Sequence, residues 1–212
     1  MSYTKSIRKE VAEMWRLVVS QLTKSLFALT QFDKDYAREV ILIEQRVNSS
    51  KVLIDSHCEN FISLQTERQV NIPFLIAIMK MNMHLERIGD LANNIANQIL
   101  KTPTTFSSRL IEETKVVEIY RKAANMVALG LDAFEELDAS LAEEVLTRAE
   151  VFEELRLEVN NLTAAYSHHS PEDRGNALNI YSIIKDLERV VDQSKALANE
   201  MISYSENILM IA

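Results

Sequence analysis

Helix breakers are scarce in this chain. Its 212 residues include three glycines and three prolines, too few for the turns of a sheet protein and enough to punctuate a handful of long helices. The single cysteine, Cys58, excludes an internal disulfide and a thiolate metal cage. No stretch approaches the roughly 18 apolar residues of a membrane span, and the N-terminus lacks the apolar core of a signal peptide, so a cytoplasmic protein without a membrane span is expected. Basic residues are outnumbered, 23 Lys and Arg against 31 Asp and Glu, and a net charge of −8 repels the phosphates of nucleic acid. No Gly-rich phosphate loop and no nucleophile–base pairing is readable. No glutamate has a histidine three residues on, which argues against a ferritin-like di-metal oxidase, whose acids point inward from such pairs. A non-enzymatic protein is expected.

What is present is helical periodicity. Hydrophobic residues make up 47% of the chain, enough for a substantial core. Val11, Trp15, Val18, Val19, Leu22 and Leu26 recur at helical spacing and make a first long helix ending near Thr30-Gln31-Phe32-Asp33. A second runs from about Tyr36 to about Leu64, with Val40, Ile43, Val47, Ile54, Cys58 and Phe61 on one side. Pro73 opens a third, whose apolar face includes Phe74, Ile78, Met81, Leu85, Ile88, Ile95 and Ile99. The polar, proline-bearing segment around 103–108 reads as a linker. Beyond it, Ile111 to Leu137 reads as a fourth helix, Ser140-Leu141-Ala142-Glu143 as a capping box opening a fifth, and Ser170-Pro171-Glu172-Asp173 as the start of a sixth. The expected fold is all-α: two tandem three-helix bundles over residues 1–102 and 109–212.

The chemistry-bearing pattern lies in the third helix. Glu86, Asp90 and Asn94 stand four residues apart in His84-Leu85-Glu86-Arg87-Ile88-Gly89-Asp90-Leu91-Ala92-Asn93-Asn94, which stacks three oxygen-bearing side chains on one face. Like charges at that spacing cost an isolated helix about 0.2–0.5 kcal/mol and call for a cation. The stripe lies roughly opposite Leu85, Ile88, Ile95 and Ile99, so the acids are expected to face outward. On the second helix Glu44, Asn48 and Asp55 form a similar stripe, read as lying away from Val47, Ile54 and Phe61. Pooled, the two stripes make an oxygen-rich patch suited to hard divalent cations, or to iron and zinc with waters. The plainer alternative is a solvated acidic face neutralised by Arg46, Lys51 or Arg87.

The ladder is used twice. Leu85-Glu86-Arg87 recurs as Leu187-Glu188-Arg189, and Asp90 and Asn97 recur as Asp192 and Asn199, all 102 residues on. An internal duplication of a three-helix unit is the simplest account. The copy is imperfect: Ala196 stands where Asn94 stands, and Lys185 and Lys195 lie on or beside the stripe. Glu150 and Glu154 of the fifth helix are the acids placed to meet Glu188 and Asp192. The second site is expected to bind metal more weakly than the first, or not at all. Among the remaining polar residues, His84 reads as a surface histidine, His57 as one packed on the apolar side of the second helix, and His168 and His169 as loop residues.

With these residues in hand, the chain resembles the PhoU family of phosphate-uptake regulators. The carriers are LERIGDLANNIA (Leu85 to Ala96), its degenerate repeat LERVVDQSKALA (Leu187 to Ala198) and VILIEQRVNSSKVLIDSHC (Val40 to Cys58), and the likeness runs over nearly the whole chain. It implies paired three-helix bundles with metal clusters of iron or zinc, or other divalent or trivalent ions, at Glu44, Asn48, Glu86, Asp90 and Asn94, and at Glu188 and Asp192. For the fifth helix it leaves a choice between Ala149 with Glu153 and Glu150 with Glu154; the helical-face argument favours the second pair. It further implies a homodimer that restrains high-affinity phosphate uptake by linking a phosphate ABC transporter to a sensor histidine kinase. A PhoU-like cytoplasmic domain of a sodium–phosphate cotransporter is the alternative.

Overall fold

The computed structural model describes residues 3–63, 71–150, 152 and 171–211. Among them every regular element is a helix: α1 Tyr3–Gln31, α2 Lys34–Ser63, α3 Ile72–Lys101, α4 Ser108–Thr114, α5 Val116–Glu136, α6 over 139–150, and α7 Pro171–Ile211. No helix among the described residues is long and apolar enough to cross a membrane.

Local chemistry sets most of the boundaries. Phe32 turns into the left-handed region (φ 50°) and ends α1; Asp33 Oδ1 then accepts the Asp35 N–H at 2.8 Å. Asn71 caps α3 by accepting the Phe74 N–H at 3.0 Å, with Pro73 in the first turn where its missing N–H costs nothing. The end of α3 is tied to the start of α2, because Lys34 Nζ donates to the carbonyls of Leu100 and Thr102, both at 3.1 Å. A basic group at a helix C-terminus is favourably placed against the dipole.

Two boundaries differ from the sequence expectation. The single helix expected over Ile111–Leu137 is broken at Lys115, which is left-handed (φ 52°). The buried Thr114 hydroxyl donates back to Leu110 O at 2.7 Å, a local bond that competes with the helix ladder. At α6 the cap is Asp138 rather than Ser140: its Oδ1 accepts both the backbone N–H (2.8 Å) and the hydroxyl (2.6 Å) of Ser140. These bonds hold the Asp138 carboxyl below the ordinary carboxylate range, and helix starts one residue before Ser140.

Helices α1, α2 and α3 pack on one another; α5 packs on α7, α1 on α5, and α3 along α7. The two repeats therefore share one continuous core. Its pivot is Trp15 of α1, fully buried, whose Nε1 donates to Val127 O of α5 at 2.9 Å. Gly130 makes room for the indole: a Cβ there would come within 2.9 Å of Trp15 Cζ2. Antiparallel α3 and α7 are stitched by polar pairs, with Lys80 bonded to Glu200, His84 to Gln193 and Gln98 to Asp186. The 102-residue offset is structural as well as sequential. Leu85 and Leu187 are both fully buried, as are Ile88 and Val190, while Asp90 and Asp192 are both exposed.

Candidate metal centre

Glu44 is the informative residue. Burial of Val40, Val47, Ile54 and Cys58 defines the inner face of α2. Glu44 lies only about 40° from Val40 on the helical wheel. It is accordingly buried, at 6% exposure, and the expectation that it faces outward is corrected. Gln21 of α1, also buried, donates from Nε2 to Glu44 Oε2 at 2.7 Å. Gly89 of α3 lets the two approach: a Cβ at that position would meet Gln21 Oε1 at 3.0 Å and Glu44 Oε2 at 3.1 Å.

Asp90 of α3 closes on Glu44 from the exposed side, and Asn48 lies within hydrogen-bonding reach of it one turn along α2. Burial pushes the Glu44 carboxyl above the ordinary range; the bond from Gln21 opposes this, and the neighbouring Asp90 charge adds to it. Glu44 Oε1 and Gln21 Oε1 are shut off from solvent without a hydrogen-bond partner among the described residues. Two adjacent carboxylates with a buried, unsatisfied oxygen form an anionic pocket that lacks its counter-charge.

The expected six-residue patch divides in two. Asp55 does not join Glu44. It is held by Lys51 Nζ at 2.9 Å and by the buried amide of Asn82 at 2.7 Å. Glu86, half-buried one turn before Asp90, adds its charge to the field on Lys51. Lys51 thus neutralises one end of the patch and leaves Glu44, Asp90, Asn48 and the exposed Asn94 at the other. Among the described residues no three His, Cys, Asp or Glu side chains gather as a ready metal cage.

In the second repeat Glu188 is paired from within: Lys185 Nζ binds its two oxygens at 3.1 and 2.9 Å and sits 5.4 Å from the Tyr181 ring centre. Asp192 is exposed, and so is Glu150, whereas Ala149 points into the core. Glu153 and Glu154 lie outside the described residues, as do His168 and His169. Sequence reasoning missed Asp186, a second buried carboxylate. It accepts from Gln98 Nε2 at 2.9 Å and faces Arg189 at 3.7 Å. Burial raises its carboxyl, and Arg189 and Gln98 pull it back. Its place on the Ile183, Leu187, Val190 face was the available signal. His57, expected among aliphatic neighbours, instead meets Glu10 Oε2 at 2.8 Å. His84 bonds Gln193 of α7 rather than standing free.

The PhoU domain matches the chain twice, over residues 11–99 and 116–201. The chain belongs to the PhoU family. The phosphate-specific transport system accessory protein PhoU homolog of Burkholderia sp is 28% identical over 195 residues, spanning 91% of this chain and 83% of that protein. Its Pseudomonas aeruginosa counterpart is 27% identical over 206 residues, spanning 93% and 81%. The crystal structure of PhoU from P. aeruginosa superposes with a TM-score of 0.86 at 24% identity, covering 97% of this chain and 98% of that one. The Streptococcus pneumoniae PhoU structure does so with a TM-score of 0.83 at 22% identity, covering 96% and 95%. The all-α PhoU fold of paired repeats is thereby shown.

Proposed function

We propose that the protein is a non-catalytic, metal-dependent regulator of phosphate transport. The observation that carries this is the buried, partnerless oxygen of Glu44 beside Asp90 in a chain whose relatives are named as accessory proteins of a phosphate-specific transport system. Those relatives span nine-tenths of the chain and are named as accessories rather than transporters, which supports the adaptor reading over a cotransporter domain.

The donor set near Glu44 is all oxygen: Glu44 and Asp90, with the amides of Asn48 and Asn94, and Glu86 one turn away on α3. Such ligands suit iron, zinc supplemented by waters, or a harder divalent ion. A cation there supplies the positive charge that Glu44 and Asp90 lack, and its ligands come from both α2 and α3, so binding would fix those helices relative to each other. Partner contacts on that face would then respond to metal. The partners we assign are the phosphate ABC transporter and its sensor histidine kinase, with the regulator acting as a cytoplasmic homodimer.

The reading is tested in the native host. Deleting the gene is expected to raise high-affinity phosphate uptake in phosphate-rich medium. The wild-type gene should restore restraint, and the Glu86→Ala/Asp90→Ala variant, confirmed as folded by circular dichroism, should not. Uptake unchanged by the deletion would overturn the regulatory assignment. Full restoration by the variant would overturn the metal dependence.

A further inference from the structure

A second feature lies apart from the carboxylates and involves both repeats. Where the start of α1, the start of α3, the end of α5 and the far part of α7 converge, the chain forms a half-open cavity of about 630 Å³, within the size range of small-molecule sites. Its wall is largely apolar and aromatic: Phe74 from α3, Phe134 and Leu137 from the end of α5, and Met201 and Tyr204 from α7.

One cation is set into this wall. Arg8 of α1 donates from Nη2 to the carbonyls of Phe134 and Glu135, both at 3.2 Å, and its guanidinium carbon lies 5.8 Å from the Phe134 ring centre. Its Nε is shut off from solvent and has no acceptor among the described residues. The wall's acidic residue, Asp138, has its Oδ1 engaged by Ser140. Arg8 therefore sets a fixed positive charge into an otherwise apolar wall, the feature that would favour an anionic head group.

Leu137 supplies an independent observation. It takes the left-handed conformation (φ 58°) at the end of α5, a position that glycine or asparagine fills without strain. A leucine is there nonetheless, with its side chain 61% exposed at the cavity. Its exposed side chain extends the apolar wall at the mouth of the cavity.

We propose that this cavity binds a single-chain amphiphile with an anionic head: a carboxylate or phosphate monoester held by Arg8, with an apolar tail along Phe74, Phe134, Leu137 and Met201. Walls from α1 and α3 of the first repeat and from α5 and α7 of the second mean that such a ligand bridges the repeats. It touches none of the residues assigned to the metal centre.

Trp15 provides the readout, since it is the sole tryptophan and its ring centre lies 5.7 Å from that of Phe134. The full-length protein is titrated with dodecanoate, dodecyl phosphate, dodecanol and inorganic phosphate, each below its aggregation limit, by Trp15 fluorescence and calorimetry. Both anionic amphiphiles are expected to bind saturably, with dodecanol at least about tenfold weaker and inorganic phosphate silent. Arg8→Met should weaken the anionic ligands about tenfold and leave dodecanol unchanged. Arg8→Lys keeps the charge and serves if Arg8→Met fails to fold; it should weaken the anionic ligands less than Arg8→Met does, and still bind them more tightly than dodecanol. Three results overturn the proposal: no saturable binding of either anionic amphiphile, equal affinity for dodecanol, or binding of inorganic phosphate alone at the same site. Each leaves the metal reading intact, because neither probe nor variant involves Glu44, Glu86 or Asp90.

Discussion

In the first repeat Glu44 lies against Asp90 with one buried oxygen left without a hydrogen bond among the described residues; in the second, Glu188 lies under Lys185, both of its oxygens bound. The two ladders share one pattern, yet Glu188 is balanced by a lysine of its own helix, whereas in the first repeat Lys51 of the neighbouring helix serves the Glu86 end and the Asp90 end lies against the carboxylate of Glu44. Position 185 corresponds to Met83 in the first repeat, and position 191, a buried valine, corresponds to Gly89. The absent side chain at Gly89 is what admits Gln21 and Glu44 to the backbone of α3. Two substitutions in register thus separate a repeat that calls for an external cation from one that carries its own.

Metal binding should break the symmetry most visibly. The Glu86→Ala/Asp90→Ala variant is expected to lose at least about 100-fold in metal affinity, or about 2.7 kcal/mol, with its melting temperature in the absence of metal nearly unchanged, because Asp90 is exposed and Glu86 only half-buried. Glu188→Ala/Asp192→Ala is expected to change affinity by less than about threefold. Calorimetric titration with iron(II), zinc and manganese on both variants checks the pair. Equal losses from the two would erase the distinction drawn between the repeats.

The glycines sharpen the comparison through stability. Gly130→Ala drives a Cβ to within 2.9 Å of the Trp15 ring. That ring is fully buried and anchored by its bond to Val127, so it cannot move aside. Overpacking should outweigh the gain in helix propensity and cost about 2 kcal/mol. Gly89→Ala meets softer obstacles, side-chain oxygens and a valine methyl at 3.0–3.2 Å. It should cost about 1 kcal/mol and also displace Glu44, so it weakens metal binding whereas Gly130→Ala does not. Urea denaturation with and without metal separates the two effects.

Long helices, the opening of α3 at Pro73 and the 102-residue repeat were legible in the sequence, because breakers are rare and the periodicity is strong. The inward placement of Glu44 and Asp186 was legible too, from their positions on apolar faces; Glu44 was missed because its stripe was read from the other polar residues rather than from Val40 and Val47. What no local pattern shows is a meeting of distant segments. That Gln21 reaches Glu44 and that Arg8 closes on the end of α5 depend on how α1, α2 and α5 stack, whereas the Lys51–Asp55 pair, four residues apart on α2, is local. The break at Lys115 escaped for a related reason, since it follows from the buried Thr114 hydroxyl turning back on its own helix.

A pH titration of the metal-free protein tests the buried carboxyls. Glu44 and Asp186 are both raised by burial, so each binds its proton more tightly folded than unfolded. Their contribution to stability is complete below the ordinary carboxylate range and is lost as pH rises through their raised folded values. Thermal melts should therefore show stability falling as pH rises from the ordinary carboxylate range toward neutrality. Glu44→Gln and Asp186→Asn should each flatten part of that slope, with Glu44→Gln showing the larger effect, because Asp90 adds to its repulsion while Arg189 relieves Asp186. A slope unchanged in both variants would place the titration elsewhere.

The smallest effect tests the lysine that sets the repeats apart. Lys185 and Glu188 retain 35% and 15% side-chain exposure, so their bond is partly screened and Lys185→Met should lower stability by only about 0.5 kcal/mol. The more telling change is qualitative. With methionine at 185 the second repeat matches the first at Met83, and Glu188 loses its internal counter-charge. A weak metal-dependent rise in melting temperature should then appear, should survive Glu86→Ala/Asp90→Ala, and should vanish on adding Glu188→Ala. If Lys185→Met with the first site disabled shows no response to metal, the lysine is not what closes the second site, and the missing oxygen ligand at Ala196 becomes the stronger explanation for the difference between the repeats.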